Sequence, residues 1–378
     1  MSLFFELKKI RSFFMNKNNA RKQIKKLLLL DGTSALMIAG ASWVALLAAR
    51  GFSMVEIGLA ESIFHVASMF FEVPSGAIAD VFGRKKVMVA GRIMSVLSGI
   101  ILIVSDSFWM VALAMIPGAL SYNLASGTRE ALAYDSLKEA DIESEYDRFA
   151  SVDMVIYKIT SSIATLMAGV ALMLGYKRAY AVDVFMGILS IGIALSLKEI
   201  STELSKEASI KKRFVEVAKE SAAFIKENKR ARQIIVLNAF VGSSATLILF
   251  FLQAKLPIAG LPELMLGPAL FIMGMGAVLG AFAAKLMAGR RFKHIAMIGA
   301  FGVALSVASI LTGNSILMVI GGFIGSFSDT LLCVRSDVVL NTMIPSDQRA
   351  TLVSVNSFSF SIVMIALSPL FGFIVSVV

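Results

Sequence analysis

Glu61, His65 and Glu72 stand four and seven residues apart in an otherwise apolar run. At roughly 100° per residue that spacing puts all three on one stripe of a helix, and Ser68 falls on it too. A carboxylate beside a histidine can take up and release a proton near neutral pH, because the imidazole titrates there and each group shifts the other. Glu61, His65 and Glu72 are therefore candidates for proton coupling. A structural hydrogen-bonded pair that fixes this helix against a neighbour is the alternative.

The same run ends in Gly76-Ala77-Ile78-Ala79-Asp80-Val81-Phe82-Gly83-Arg84-Lys85-Lys86, a polar and cationic knot between two long apolar stretches. Gly83 permits a tight turn, and Arg84, Lys85 and Lys86 supply the positive charge that retains a loop in the cytoplasm. Asp80 can receive the N-terminus of a helix, whose free amides and dipole favour an anion. Arg84 can pair with a carboxylate at the end of the fourth span. Such contacts would latch one side of a carrier; a positive-inside loop with incidental pairing is the plainer alternative.

Further polar side chains recur at helical spacing. Tyr122, Ser126 and Arg129 share one face, with Glu130 and Asp135 following; Ser151, Lys158, Ser162 and Thr165 share another; Asn238, Gly242, Thr246 and Gln253 share a third. Arg335 and Asp337 sit in a later run at the place matching Arg129. These are candidates for lining a solute cavity, with Lys158 or Arg335 available to an anionic group. Ordinary interhelical hydrogen bonding accounts equally well for the Ser and Thr residues. Asp31 reads as a polar residue where the first span begins, and Cys333 as an inert core thiol.

Side chains of these kinds need a scaffold, and the composition says which. Of 378 residues, 57% are hydrophobic and 16% charged, and the mean hydropathy is +0.80. A soluble core of this size has no use for so much apolar surface. The net charge of +10 is spread in short clusters between apolar runs rather than along one face, so no nucleic-acid partner is expected. One cysteine excludes a disulfide framework or thiolate metal site, and two histidines make a metal enzyme a poor fit. No phosphate-binding Gly-x-x-x-x-Gly-Lys-Ser/Thr occurs, so ATP is not the energy source in this chain. No Ser-His-Asp, His-Glu-x-x-His or paired-Cys pattern favours an intramembrane enzyme. No cofactor is expected, and a proton gradient is the energy source that Glu61 and His65 suit.

At about 20 apolar residues per crossing, the chain contains eleven candidate spans, near 27–50, 55–79, 87–105, 108–134, 151–174, 179–197, 233–254, 264–287, 294–312, 315–341 and 350–377. Lys and Arg crowd the N-terminal arm, the Arg84 to Lys86 loop, segment 198–232 and the Arg290 to Lys293 loop. The positive-inside rule puts those segments and the N-terminus in the cytoplasm, in a multi-pass protein of the plasma membrane. The expected organisation is a basic arm at 1–26, a six-helix bundle at 27–197, a cytoplasmic linker at 198–232 and a bundle of about five helices at 233–378. Val215, Ala218, Ala222 and Ile225 recur at helical spacing in the linker, which suits an amphipathic helix along the membrane surface. Faint echoes between 122–151 and 328–351 suggest duplication, equating the fourth span with the tenth and the fifth with the eleventh. In the second copy of the opening motif, Ala284 stands where Asp80 would.

The pattern Gly-x-x-x-Asp-x-x-Gly-Arg-Lys-Lys between two hydrophobic runs resembles the loop between the second and third spans of the major facilitator superfamily of secondary transporters. Glu61-Ser62-Ile63-Phe64-His65, Phe71-Glu72-Val73-Pro74-Ser75-Gly76, Ser126-Gly127-Thr128-Arg129-Glu130-Ala131 and Tyr134-Asp135-Ser136-Leu137 are similar to a bacterial branch usually assigned to efflux. The resemblance implies two all-α bundles about a midplane cavity, a monomer in the bilayer, and alternating access for a small-molecule substrate. It implies that Asp80 meets the start of the eleventh helix near Ala350 and that Arg84 pairs with Asp135. It also implies six spans plus six, whereas no twelfth span is visible here. The fifth span lacks the Gly-Pro signature and the fourth the Arg-x-x-Gln-Gly run of drug:proton antiporters. Proton-coupled export of a drug or metabolite is the expectation; an importer, a non-transporting receptor and an inactive shortened remnant are the rivals.

Overall fold

The computed structural model describes residues 15–125, 127–200, 219, 223, 224, 226–343 and 349–377, without the side chains of 72–77, 80, 81 and 349–351. Among these residues every regular element is helical. That is the outcome expected of long apolar runs in lipid, where a helix satisfies its backbone groups within one segment. Most of the predicted expectation for the linker, including its amphipathic stripe, lies outside the described residues.

The first predicted span is broken into three helices, α1 (Lys17–Ala35), α2 (Ile38–Ala41) and α3 (Trp43–Ala49). The second is a single helix, α4 (Met54–Phe82), opened by a capping box. In that box the Ser53 hydroxyl accepts from the Glu56 N–H, and the Glu56 carboxylate accepts from the Ser53 N–H at 2.8 Å. There follow α5 (Arg84–Val104), α6 (Phe108–Ala125), α7 (Thr128–Glu139), α8 (Tyr146–Leu166), α9 (Ala168–Leu174) and α10 (Tyr176–Leu195). The second part holds α11 (Lys229–Ile258), α12 (Leu266–Leu286), α13 (Phe292–Ile310), α14 (Ser315–Met343) and α15 (Arg349–Val377).

Nine helical stretches among the described residues are long and apolar enough to cross a membrane, or ten if α8 and α9, bent by 46°, form one crossing. The predicted run 27–50 is the remainder: its pieces are each too short or too polar to qualify alone. Its break is held by the sixth span. Asp183, buried on α10, accepts from the freed N–H groups of Ala39 and Gly40 at 3.3 and 2.8 Å, so the interruption leaves those donors satisfied.

The helices form two bundles, α1 to α10 and α11 to α15, which meet along three seams: α4 with α15, α8 with α12, and α3 with α11. The seams are tight where glycine lets backbones approach. A Cβ on Gly58 would collide with the Ser368 carbonyl, and one on Gly372 with the Met54 carbonyl. Likewise a Cβ on Gly267 would collide with the Leu166 carbonyl, and one on Gly169 with that of Glu263. On the third seam Gln253 donates to the Ala41 carbonyl at 3.3 Å, and the rings of Trp43 and Phe250 meet edge to face at 5.6 Å. All these contacts lie in the half of the molecule away from the Arg84 to Lys86 loop, which marks the basic end.

Candidate functional site: the cavity between the bundles

Below the closed half lies a cavity of about 510 Å³. The N-terminal bundle contributes Glu61, Phe64, His65 and Ser68 from α4, with Tyr122 and Asn123 from α6. The C-terminal bundle contributes Thr246 and Phe250 from α11, with Asn356, Ser357, Phe360, Ser361 and Met364 from α15. Hydroxyl, amide and aromatic groups therefore face one another across the seam. Such a wall suits a small solute with both an apolar body and hydrogen-bonding groups.

Glu61 and His65 sit one turn apart on α4, as their spacing requires, and both are buried. His65 Nε2 lies 3.2 Å from Glu61 Oε1, and its Nδ1 lies 3.2 Å from Ser361 Oγ on α15. The imidazole is clamped edge to face by Phe64 at 5.6 Å and by Phe360 at 5.7 Å. A neutral ring has one donor and one acceptor nitrogen, so facing a carboxylate and a hydroxyl it can satisfy both at once. Ser68 donates to Asn123 Oδ1 at 3.1 Å, and Asn123 Nδ2 donates back to the Ser68 carbonyl at 2.7 Å. That pair stitches α4 to α6 beneath the ring. Glu72 continues along α4, with its side chain outside the described part.

At the basic end Arg84 donates to Asp135 and, at 2.6 Å, to the Ala131 carbonyl. Gly83 adopts φ +96°, a region open to glycine at no steric cost. The Glu199 carboxylate occupies the space that a Cβ would need there. Glu199 also accepts from the Lys85 N–H at 3.1 Å, supplying an anion to the first turn of α5. Nothing in the spacing around Glu199 marks it for that position. Lys86 is exposed. Gly76 and Asp80 lie on the last turns of α4, and the expected contact of Asp80 with the helix start near Ala350 falls outside the described side chains.

Several expectations about the cavity are corrected. The fourth span does not run straight: Gly127, at φ +70°, separates α6 from α7, so a continuous helical face cannot carry Tyr122 and Arg129 together. Tyr122 lines the cavity, Ser126 lies outside the described residues, and Arg129 turns into the bundle. There it bonds Asp31 on α1, Asp153 on α8 at 2.8 Å and Glu130 at 3.0 Å. Asp31 is thus one arm of a buried ion cluster rather than a polar residue at a span's start.

Lys158 and Ser162 are not in the cavity wall; the Lys158 ammonium lies 5.8 Å from the ring centre of Tyr157 on its own helix. Asn238 accepts from Ser336 at 2.9 Å within the second bundle. Arg335 donates to the Ala288 carbonyl at 2.9 Å, just past the end of α12, where a cation suits the helix dipole. Asp337 is exposed on α14 one turn from Cys333, which is exposed rather than in the core. Of the seventh-span stripe, Thr246 faces the cavity, while Gln253 closes the α3 seam.

The eleventh span supplied what the sequence reading missed. Asn356, Ser357 and Ser361 form a polar patch within one turn and a half, and the spacing test applied to the other spans would have found it.

A family model for the Major Facilitator Superfamily matches residues 27–369. The chain belongs to that superfamily. It is 26% identical over 255 residues to the uncharacterized MFS-type transporter YxaM of Bacillus subtilis (strain 168), covering 65% of this chain and 61% of that protein. Over a shorter stretch of 71 residues it is 34% identical to the inner membrane protein YqcE of Escherichia coli (strain K12), covering 19% of this chain and 17% of that protein. The chain thus matches less than two thirds of the length of these curated relatives.

In fold it is similar to the nucleoside transporter NupG, with a TM-score of 0.76 at 14% identity over 94% of this chain and 91% of that one. It is also similar to a bacterial homolog of the human lysosomal transporter Spinster, in an inward-facing and occupied conformation. There the TM-score is 0.69 at 16% identity, over 93% of this chain and 80% of that one. These likenesses establish the superfamily's two-bundle fold for this chain, and the seams and cavity described above are how its residues build it.

Proposed function

We propose that this chain is a secondary active transporter that exports a small organic molecule in exchange for protons, by alternating access across the plasma membrane. One observation carries the reading. Glu61 and His65, an acid and a base in hydrogen-bond contact, form part of the cavity wall, and the second imidazole nitrogen reaches across the seam to Ser361. With Glu61 ionised, Nε2 donates to it and Nδ1 accepts from the Ser361 hydroxyl. A proton added at Nδ1 makes that nitrogen a donor, and the hydroxyl must then turn to accept. Protonation is thereby tied to the bond that holds α4 against α15, and a ligand that prefers one arrangement shifts the population of both.

The asymmetry of basic loops supports a cytoplasmic basic end and a cytoplasmic N-terminus. Tyr122, which lines the cavity yet is 67% exposed, supports a cavity that opens toward that end. Arg84 with Asp135, together with Asp80, would brace the loop when that side closes. The unit is a monomer in lipid, with no cofactor and no nucleic-acid partner, driven by the proton gradient. Neighbours of the same fold include a nucleoside transporter, NupG, and a xylose transporter, XylE of E. coli; that observation favours uptake of a polar solute as the second reading. Cellular accumulation decides between them, since deleting an exporter raises it and deleting an importer lowers it.

A thermal-shift screen of the purified protein identifies a solute, and proteoliposomes then report solute-dependent proton flux. Glu61→Gln and His65→Ala are expected to abolish that flux while leaving solute binding within a few-fold of the parent. Unchanged flux in both variants would sink the assignment of coupling to this pair.

A further inference from the structure

We infer that a recess in the first bundle binds the zwitterionic head group of a membrane phospholipid, with its phosphate on Arg50 and its ammonium on Asp106. The recess, of about 650 Å³, shares no lining residue with the cavity between the bundles. Arg50 and Phe52 come from the turn between α3 and α4, and Glu56 from the first turn of α4. Asp106 comes from the turn between α5 and α6, while Phe108 and Tyr176 open α6 and α10. Because α5 starts at Arg84 and ends at Val104, the recess lies at the end of the bundle opposite the basic loop.

The first ground is a fixed cation. Arg50 Nη2 donates to the Ser105 carbonyl and, at 3.0 Å, to the Ser105 hydroxyl. The guanidinium carbon lies 4.0 Å from the ring centre of Tyr176 and 4.9 Å from that of Phe52, contacts that hold the planar fork in place. Its other terminal nitrogen, Nη1, is buried without a partner, and a buried donor left unpaired is costly. Phosphate is an acceptor that a guanidinium matches in charge and geometry. Lys177 puts a second cation beside the same ring, its ammonium 5.7 Å from the Tyr176 centre.

The second ground is an available carboxylate. Glu56 is engaged, since it accepts from the Ser53 N–H and hydroxyl. Asp106 is exposed and makes no hydrogen bond or ion pair among the described residues, Arg50 included, although both border the same recess. Opposite charges held apart in this way complement a ligand that carries both. The third ground is depth. Beside the recess stand Val104, Trp109 and Met173, 53%, 76% and 65% exposed. An outward-facing Trp among apolar side chains marks the level of the lipid head groups, so a phospholipid whose chains lie on that surface brings its head group to the recess.

Native mass spectrometry of the full chain tests the inference, with an equimolar mixture of didecanoyl phosphatidylethanolamine, phosphatidylcholine and phosphatidylglycerol added in detergent. The ethanolamine lipid is expected to be retained at least about fivefold more than either of the others, the gain of one charge-assisted hydrogen bond. Choline has no N–H to donate to Asp106, and the glycerol head group has no ammonium. Asp106→Asn, at an exposed residue without a partner, is expected to bring the ethanolamine lipid to within about twofold of the choline lipid. Arg50→Gln is expected to lower retention of all three, and Arg50→Lys to leave it low, because an ammonium lacks the fork. Should the Arg50 variants fail to fold, the ranking on the parent and on Asp106→Asn decides. No retained lipid, or a choline or glycerol lipid held as well as the ethanolamine one, overturns the inference. A folded Asp106→Asn protein that keeps the full ethanolamine preference overturns the assignment to Asp106. Free phosphoethanolamine that displaces the lipid at equal concentration overturns the lipid as the ligand and makes the recess a site for a soluble zwitterion.

Discussion

The two bundles share a fold but are held together by different physics. In the first, ion pairs and caps between helices do much of the joining: Arg129 ties α7 to α1 and α8, Arg84 ties α5 to α7, and Arg21 ties α1 to the loop before α8. Asp183 and Glu199 hold helix starts in the same bundle. In the second bundle no salt bridge is found among the described residues, and backbone approach takes its place. A Cβ on Gly276 or Gly280 would collide with the carbonyls of Phe323 and Phe327 on α14, and one on Gly302 with the Ser328 side chain. Small residues at helix contacts give close van der Waals packing where lipid removes the hydrophobic drive between helices. The difference teaches that charge holds much of the first bundle, whereas close backbone packing holds the second.

Three substitutions sharpen or break this contrast. Removing the guanidinium in Arg129→Met strands Asp31 and Asp153, whose side chains are only 4% and 9% exposed. Loss of one partner of a buried pair costs about 3–5 kcal/mol, so unfolding of the purified protein in detergent should shift by that order. Adding Asp31→Asn and Asp153→Asn should recover part of the loss. A single variant as stable as the parent would end the view that charge holds the first bundle together.

Gly276→Leu in the second bundle drives a side chain into the backbone of α14, an overpacking that costs about 1–3 kcal/mol. Its loss should not depend on salt, because no charge is involved. A salt-dependent effect there would erase the distinction between the bundles. The smallest effect is expected for Arg21→Ala. The Arg21–Glu145 pair is the most exposed of the ion pairs, with side chains 53% and 34% accessible, and such pairs are screened by water and ions. Its melting temperature should match the parent's within error at low and high salt. A clear drop would mean that charge acts at the surface of the first bundle as well as inside it.

Much of the fold was legible before any coordinates, because hydrophobic length and cationic loops report directly on crossing a bilayer. The predicted ends of the second, seventh, tenth and eleventh spans lie within a few residues of α4, α11, α14 and α15. The Glu61–His65 contact was legible for a similar reason, since residues four apart on a helix must be neighbours. The faces of broken helices were not. Gly127 in its left-handed conformation rotates Arg129 away from Tyr122, and spacing alone cannot register that rotation. Nor could it say that Arg335 would be drawn to a helix end or that Asn238 would turn to Ser336, because each choice depends on which helix packs alongside.

By itself, then, the sequence determined the all-helical class, the basic ends of the spans and the local acid–base pair. These follow from local rules, the transfer of side chains into lipid and the pitch of the helix. Only the tertiary structure decided that Ser361 would meet His65 across the seam, and that Arg129 would turn into the first bundle between the carboxylates of Asp31 and Asp153. Those contacts join residues from separate helices, and their geometry is set by how closely glycine lets the backbones approach, which no single helix specifies.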